Sequence, residues 1–471
     1  MKKKHLVIVG VIILSAIVIL GLYQTFALSG DITKDTNGYY NVTVTDGTTV
    51  TVPAGSTKTV YYKLTNTNKG IVKYGIGYSG TNITVKYYND TQDPVTGTVE
   101  YGKSKYIKLS VENSGTTSST ATLSTILGYE NGGDLIVPSG VTLVTKMTYG
   151  YKGLAKLIAE NTFTPNSTVT NNGITYQYDT THSLMKDIGG NIRYYGASPN
   201  NYIYFNCSDY KNQSSSTCET WRIIGIVDGK MKIMRGSVIG SYSWDSSASD
   251  VNSGYGVNEW SQADLMKLLN SGYDSESVGG SLYWNAKSGT CYNGENNATT
   301  SCNFTSTGLK NDTTRNLIAE TTYYTRGHNF ASIYVNAMYD KERVSGTVVS
   351  ATPTRTLTWT GKVAVAYPSD YGYAADLSLC QKQLVSYNDA TCTANNWMKS
   401  ILAPNDGWLL TPYSAAANFA WYVYSSGYVN SSGFNRYACR AYGVAPVLSL
   451  ISELDIGPGT GTNSSPYQLS V

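Results

Sequence analysis

From about residue 30 to residue 132, apolar and polar side chains alternate through one short segment after another. "YYNVTVT", "TTVTVPAG", "TKTVYYKLTNTN", "IVKYGIGYSG", "NITVKYY" and "YIKLSVENSGTTSSTATLSTILGY" carry the period of two that turns one face of a strand inward. They are rich in Val, Tyr and Thr, and turn-forming residues separate them at regular spacing. Such a series predicts two sheets packed as a sandwich. A connector follows at 133–165, where Leu154, Leu157 and Ile158 of "LAKLIAENTF" fall on one side of a short helix.

The texture changes from 166 onward. "TWRIIGIVDGKMKIMR" alternates on both sides of Asp228 and Gly229, a dipeptide suited to a type I′ turn, and predicts a hairpin. "NEWSQADLMKLLNSGY" predicts a helix with Trp260, Leu265, Leu268 and Leu269 facing inward and Ser261, near Asp264, capping its start. "TWTGKVAVAYPSDYGYAA" reads as a buried strand running into a turn, "NNWMKSIL" as a helix, and "GWLLTPYS" and "FAWYVYSSGYVN" as strands. Tryptophans such as Trp221, Trp260, Trp284, Trp408 and Trp421 sit inside these patterns and are expected in the core. His182 and His328 are isolated, with no catalytic arrangement around them.

The first residues bear on compartment. "MKKKHLVIVGVIILSAIVILGLYQTFA" sets three lysines before an apolar run from Leu6 to about Tyr23, long enough to cross a bilayer as a helix with the lysines inside. The expectation is a membrane-anchored protein at the cell surface with its C-terminal domains outside. A cleaved signal peptide, with "TFA" before Leu28, is the alternative and would make the protein secreted.

Cysteine usage fits export. None precedes Cys207, and the spacings Cys207 with Cys218, Cys291 with Cys302 and Cys380 with Cys392, without any CxxC, suit short loops closed by disulfides better than a zinc site. Each bridge would stabilise by about 3 kcal/mol through loop closure; free buried thiols are the alternative. Cys439 is left over. Charge is nearly balanced, 35 Lys and Arg against 32 Asp and Glu, and scattered, which argues against a nucleic-acid partner. No metal or cofactor is expected.

Together, "WRIIGIVDGKMKIMR", "SLYWN" with "CYNGENNATTSCNFTSTGL", "WTGKVAVAYPSDYGYA", "NDGWLLTP", "AWYV" and "GVAPVLSL" resemble a family of exported bacterial proteins whose C-terminal domain has a C-type-lectin-like fold. The resemblance covers roughly the last 270 residues. With the patterns read above, the expected fold class is mostly β with an α+β head, the lectin-like head being what the resemblance implies. The order is an N-terminal transmembrane helix or signal segment (1–28), an immunoglobulin-like β-sandwich (29–132), a connector (133–165) and a C-type-lectin-like domain (166–471). The sandwich lacks the Cys and Trp hallmarks of antibody domains. Ala445 stands where the family carries an arginine, and the Glu-Pro-Asn and Trp-Asn-Asp triplets of calcium-dependent lectins are missing.

The same fold is the display scaffold of proteins diversified by retroelements, in which randomised asparagine codons never yield Lys, Gln, Glu, Met or Trp. From Ser400 to Ser452 there are 53 consecutive residues without Lys, Glu, Gln or Met, whereas the longest such run elsewhere is 24, for example Asp187 to Tyr210. Within a variable region of about 409–446, the period of two puts Trp421 and Val423 on one face and Tyr422 and Tyr424 on the other, toward water. The ligand-binding candidates begin with Tyr413, Ser414, Asn418, Tyr422, Tyr424, Tyr428 and Asn430. They continue with Ser431, Ser432, Phe434, Asn435, Arg436, Tyr437, Cys439, Arg440 and Tyr442. Tyr gives wide, rigid contact area and Ser, Asn and Gly adaptable hydrogen bonding. The expected function is a receptor or adhesin that binds a protein or glycan on another cell, phage or host surface, and not an enzyme. The alternatives are a structural exported protein with an ordinary Tyr-rich surface and a formylglycine-generating type of enzyme, which needs a reactive cysteine pair.

Overall fold

The computed structural model describes residues 42–45, 49–66, 71–87, 97–100, 104–127, 139–146, 163–246, 254–430, 437–452 and 454–470. The chain forms two compact units, Met1–Tyr149 and Gly150–Val471.

In the first unit, one sheet runs Val42–Thr45, Thr57–Asn66, Ser104–Asn113, Ile83–Tyr87, Thr145–Lys146. The other runs Thr49–Val52, Ser119–Leu127, Ile71–Ser79, Gly97–Glu100, with Thr142–Leu143 beside Ile71–Ser79. Their alternating apolar residues meet in one core: Leu64, Val85, Leu109 and Val111 from the first sheet against Val52, Ile76, Ala121 and Leu123 from the second. The strand pairs are antiparallel except for Thr145–Lys146 beside Ile83–Tyr87.

The expected fold class needs correction. The molecule is mixed α/β, with several sheets and short helices, and among the described residues no helix is long and apolar enough to cross a membrane. Residues 1–28, on which the transmembrane helix was expected, lie outside the described residues, as does the helix expected at 154–163 apart from Phe163. The membrane contact and the membrane-anchored placement that depended on that helix have no counterpart among the described residues and are withdrawn.

The second unit is built around a large sheet ordered Ser167–Asn171, Ile174–Asp179, Leu184–Lys186, Ile192–Tyr194, Glu219–Val227, Lys230–Arg235, Val447–Ser449, Val363–Ala364. Asp228 (φ 54°) and Gly229 (φ 74°) join Glu219–Val227 to Lys230–Arg235, the left-handed pair that a type I′ turn requires. A second sheet runs Ser241–Ser243, Ala441–Gly443, Gly407–Pro412, Ala420–Val423, Val429–Asn430. The disulfides Cys207–Cys218, Cys291–Cys302 and Cys380–Cys392 close three loops.

Two local expectations change. Ser261 does not cap a helix: Glu259 precedes the Trp260–Gln262 turn, its carboxylate accepting Ser261 N at 3.0 Å, and the helix proper is Asp264–Leu269. The "YPSDYGYAA" segment is not a turn: Pro368 opens the helix Pro368–Tyr373, where its missing N–H costs nothing, and Asp370 accepts Tyr367 N at 3.0 Å.

That helix is pinned to the large sheet by buried charges. Asp370 pairs with Arg193 at 2.7 Å and with Lys232, Arg193 also holds Asp187, and Glu342 pairs with Arg343 and accepts Ser369 N at 2.8 Å. The cations on Asp370 hold its carboxyl below the usual carboxylate range against the opposing effect of burial. Breaking one such pair strands a buried charge at about 3–5 kcal/mol.

Candidate ligand-binding face

The second sheet of this unit lies between two apolar clusters. Trp408, Leu410, Ala420 and Tyr422 point into one, and Leu409, Trp421, Val423 and Val429 into the other. The period of two is therefore real, yet both faces of Ala420–Val423 are covered. This overturns the expectation that Tyr422 faces water: it is 1% exposed. Asn418 and Cys439 are buried too. Asn418 accepts Ala438 N at 2.8 Å through its carbonyl, and Cys439 donates its N–H to Tyr255 O at 3.1 Å.

Two aromatic columns lie at the two ends of Ala420–Val423, the first rising from this interior and the second made of partly buried rings. In the first, Tyr442 lies 4.6 Å from Trp408 and 5.0 Å from Tyr422, and Tyr422 contacts Tyr424 edge-on at 6.3 Å. Tyr424 in turn stacks on Tyr428 at 4.9 Å. Trp408 is fully buried and donates Nε1–H to Tyr242 O at 2.9 Å, while Tyr424 is 37% exposed. The turn between Tyr424 and Tyr428 is fixed at its backbone. Tyr424 N donates to Tyr428 O at 2.8 Å, Ser425 N to Asp406 Oδ1 at 2.9 Å, and Tyr371 Oη to Gly427 O at 2.7 Å. Gly427 has φ +106°, a conformation that side-chain-bearing residues rarely adopt.

The second column is Tyr255, Tyr437, Phe419 and Tyr413, with successive ring separations of 4.1, 4.9 and 5.7 Å. Its loop is held by one buried amide. Asn258 Nδ2 donates to the carbonyls of Tyr413, Ala416 and Phe419 at 2.9, 2.9 and 2.8 Å, while its Oδ1 accepts Arg355 Nε at 2.9 Å. Arg355 Nη2 reaches Ala417 O at 2.9 Å, and Glu259 Oε2 accepts Thr356 N at 2.8 Å. Side chains far away in sequence thus impose the shape of 413–419 through its main chain.

The structure brings Tyr413, Ser414, Tyr424, Tyr428, Asn430, Tyr437, Arg440 and Tyr442 to the loops and strand ends of this sheet, partly buried or, for Tyr424, exposed. Ser431, Ser432, Phe434, Asn435 and Arg436 lie outside the described residues. Arg440 pairs with Glu295 at 3.2 Å. His328 borders the face: its carbonyl accepts Trp421 Nε1 at 3.1 Å, and burial pulls its imidazole down to about 4, with Lys341 acting in the same direction. Tyr255, Asn258 and Arg355 carry no sequence signal that ties them to the face, because the contacts that recruit them are all distant along the chain.

Six of the seven cysteines are in disulfides, and burial pushes the Cys439 thiol up to about 12, so it is protonated at neutral pH. Among the described residues, no group of three or more His, Cys, Asp or Glu could hold a metal ion. No family model matches the chain and no curated protein matches it, so neither the lectin-like nor the retroelement resemblance gains support from relatives.

Proposed function

We propose that the chain is a ligand-binding protein whose contacts are made by the tyrosines at the two ends of Ala420–Val423, Tyr424 and Tyr428 at one and Tyr413 and Tyr437 at the other, which form its rim. The observation that carries this reading is the pair of ring columns, one rising from the buried Trp408 and the other made of partly buried rings, both carrying tyrosines on a hydrogen-bonded backbone. Tyrosines held in this way lose little freedom when a partner covers them, so more of the contact energy appears as affinity. The partner is a protein or a glycan. The absence of Lys, Glu, Gln and Met from Ser400 to Ser452 supports a diversified rim, with the buried Tyr422 and Cys439 belonging to the frame.

The test is selection on the full chain with an arrayed glycan library and a phage-displayed peptide library. Binders should lose at least about tenfold in affinity for the Tyr424→Ala/Tyr437→Ala protein, as expected for central aromatic contacts. Binders indifferent to both substitutions would falsify the reading. Diversification is tested separately, by sequencing the DNA beside the gene for a near-copy of its 3′ end carrying asparagine codons at the rim positions.

A further inference from the structure

A cavity of about 400 Å³ opens between Tyr202, the Glu219–Val227 and Lys230–Arg235 strands, Ser400 and Asn463. Its size is that of a small-ligand pocket. The charges in its wall do not balance. Glu219 is already committed: it holds Arg235 through Nε at 2.9 Å and Nη2 at 3.3 Å, and accepts Trp221 Nε1 at 3.0 Å. Arg235 is committed as well, its Nη1 donating to Ser237 Oγ at 2.8 Å and to the carbonyls of Ser237 and Val238.

Arg222 is different. It is 6% exposed, its Nε donates to the neutral Asn201 Oδ1 at 2.5 Å, and its Nη2 is buried without a hydrogen-bond partner. The guanidinium lies 3.8 Å from the centre of the Tyr202 ring and 4.8 Å from that of Trp397, so aromatic faces stand where a carboxylate would be expected. Burial pulls it down only to about 10, leaving it charged at neutral pH. A buried cation without an anion is costly, and a ligand that supplies the anion recovers that cost.

The rest of the wall narrows the ligand. Two arginines against one glutamate leave a surplus of one positive charge, which suits a monoanion; a second negative charge would face Glu219. Thr220, Ser237, Ser400 and Asn463 offer hydroxyls and an amide suited to a polyhydroxylated ring, and Tyr202 and Ile401 offer it a small apolar side. We propose that this cavity binds an acidic sugar of the hexuronate class, with Arg222 as the counter-ion to its carboxylate. The site is separate from the tyrosine rim and does not depend on that reading.

The experiment is calorimetric titration of the full chain with glucuronate, glucose and inorganic phosphate. Glucuronate should bind one to one, and glucose, the same ring without the carboxylate, at least about tenfold more weakly, the loss of one charged contact. Arg222→Lys should weaken glucuronate by at least about tenfold, since a point charge replaces the planar fork. Because Arg222 is buried, a second variant, Ser400→Trp, blocks the cavity from an exposed position and should have the same effect in a protein whose circular dichroism is unchanged. Three results would each overturn the proposal: no saturable glucuronate binding up to about 20 mM, phosphate binding as tightly as glucuronate, or unaltered glucuronate binding in a folded Ser400→Trp protein.

Discussion

Tyr437 lies nearly flat on Tyr255, their ring centroids 4.1 Å apart and their planes 20° from parallel, so a segment near residue 255 supports the Tyr437 ring. A double-mutant cycle with Tyr255→Ala and Tyr437→Ala, read by urea unfolding, should give a coupling of about 0.5–1.5 kcal/mol. Additive losses would mean that the two rings stand beside each other without interacting.

Asn258 carries more than its size suggests. Asn258→Ala removes the amide donor shared by three loop carbonyls and the acceptor of Arg355 Nε, and should destabilise the protein by about 3 kcal/mol. Amide exchange should accelerate first in 413–419. Uniform acceleration across the second unit would show that the amide stabilises the fold as a whole and does not shape this loop in particular.

Tyr422 and Tyr424 sit two residues apart in opposite circumstances, 1% and 37% exposed. Tyr422→Ala should cost about 3–5 kcal/mol, as for a large side chain removed from a core, and Tyr424→Ala no more than about 1 kcal/mol. Thermal unfolding of the two variants gives the comparison directly; equal losses would contradict the burial described.

His328 should make the protein acid-sensitive. Its folded pKa, about 4, lies below its ordinary value of 6.5, so the unfolded chain takes up the proton first. The contribution is fully present above about pH 6.5 and is lost as pH falls toward 4. Unfolding measured across that window should show a decline that His328→Gln reduces; the same slope in both proteins would assign it to other groups.

Cys439 should resist iodoacetamide at pH 8 in the native protein and react once it is unfolded, since only the thiolate attacks and burial keeps the thiol protonated. Mass spectrometry distinguishes the two states. Rapid labelling of the native chain would reveal an accessible thiol.

These outcomes divide along what the sequence can and cannot express. The hairpin about Asp228 and Gly229 is legible because its turn chemistry is local, and the three disulfides because each joins cysteines eleven or twelve residues apart. The alternation through Trp421, Tyr422 and Val423 is legible as well. That a second apolar cluster covers the Tyr422 face is not, because a period of two cannot distinguish a strand with one wet face from a strand buried on both. Arg222 is equally silent: only folding shows that Tyr202, Trp397 and Asn201 surround it and that no carboxylate does.

The column from Trp408 through Tyr442, Tyr422 and Tyr424 to Tyr428 also gives the molecule an optical property. Light absorbed by the outer phenols passes by energy transfer to the indole at its base. A partner seated on the outermost ring, as proposed, should alter the glow of a fluorophore sealed deep inside and so report its own arrival.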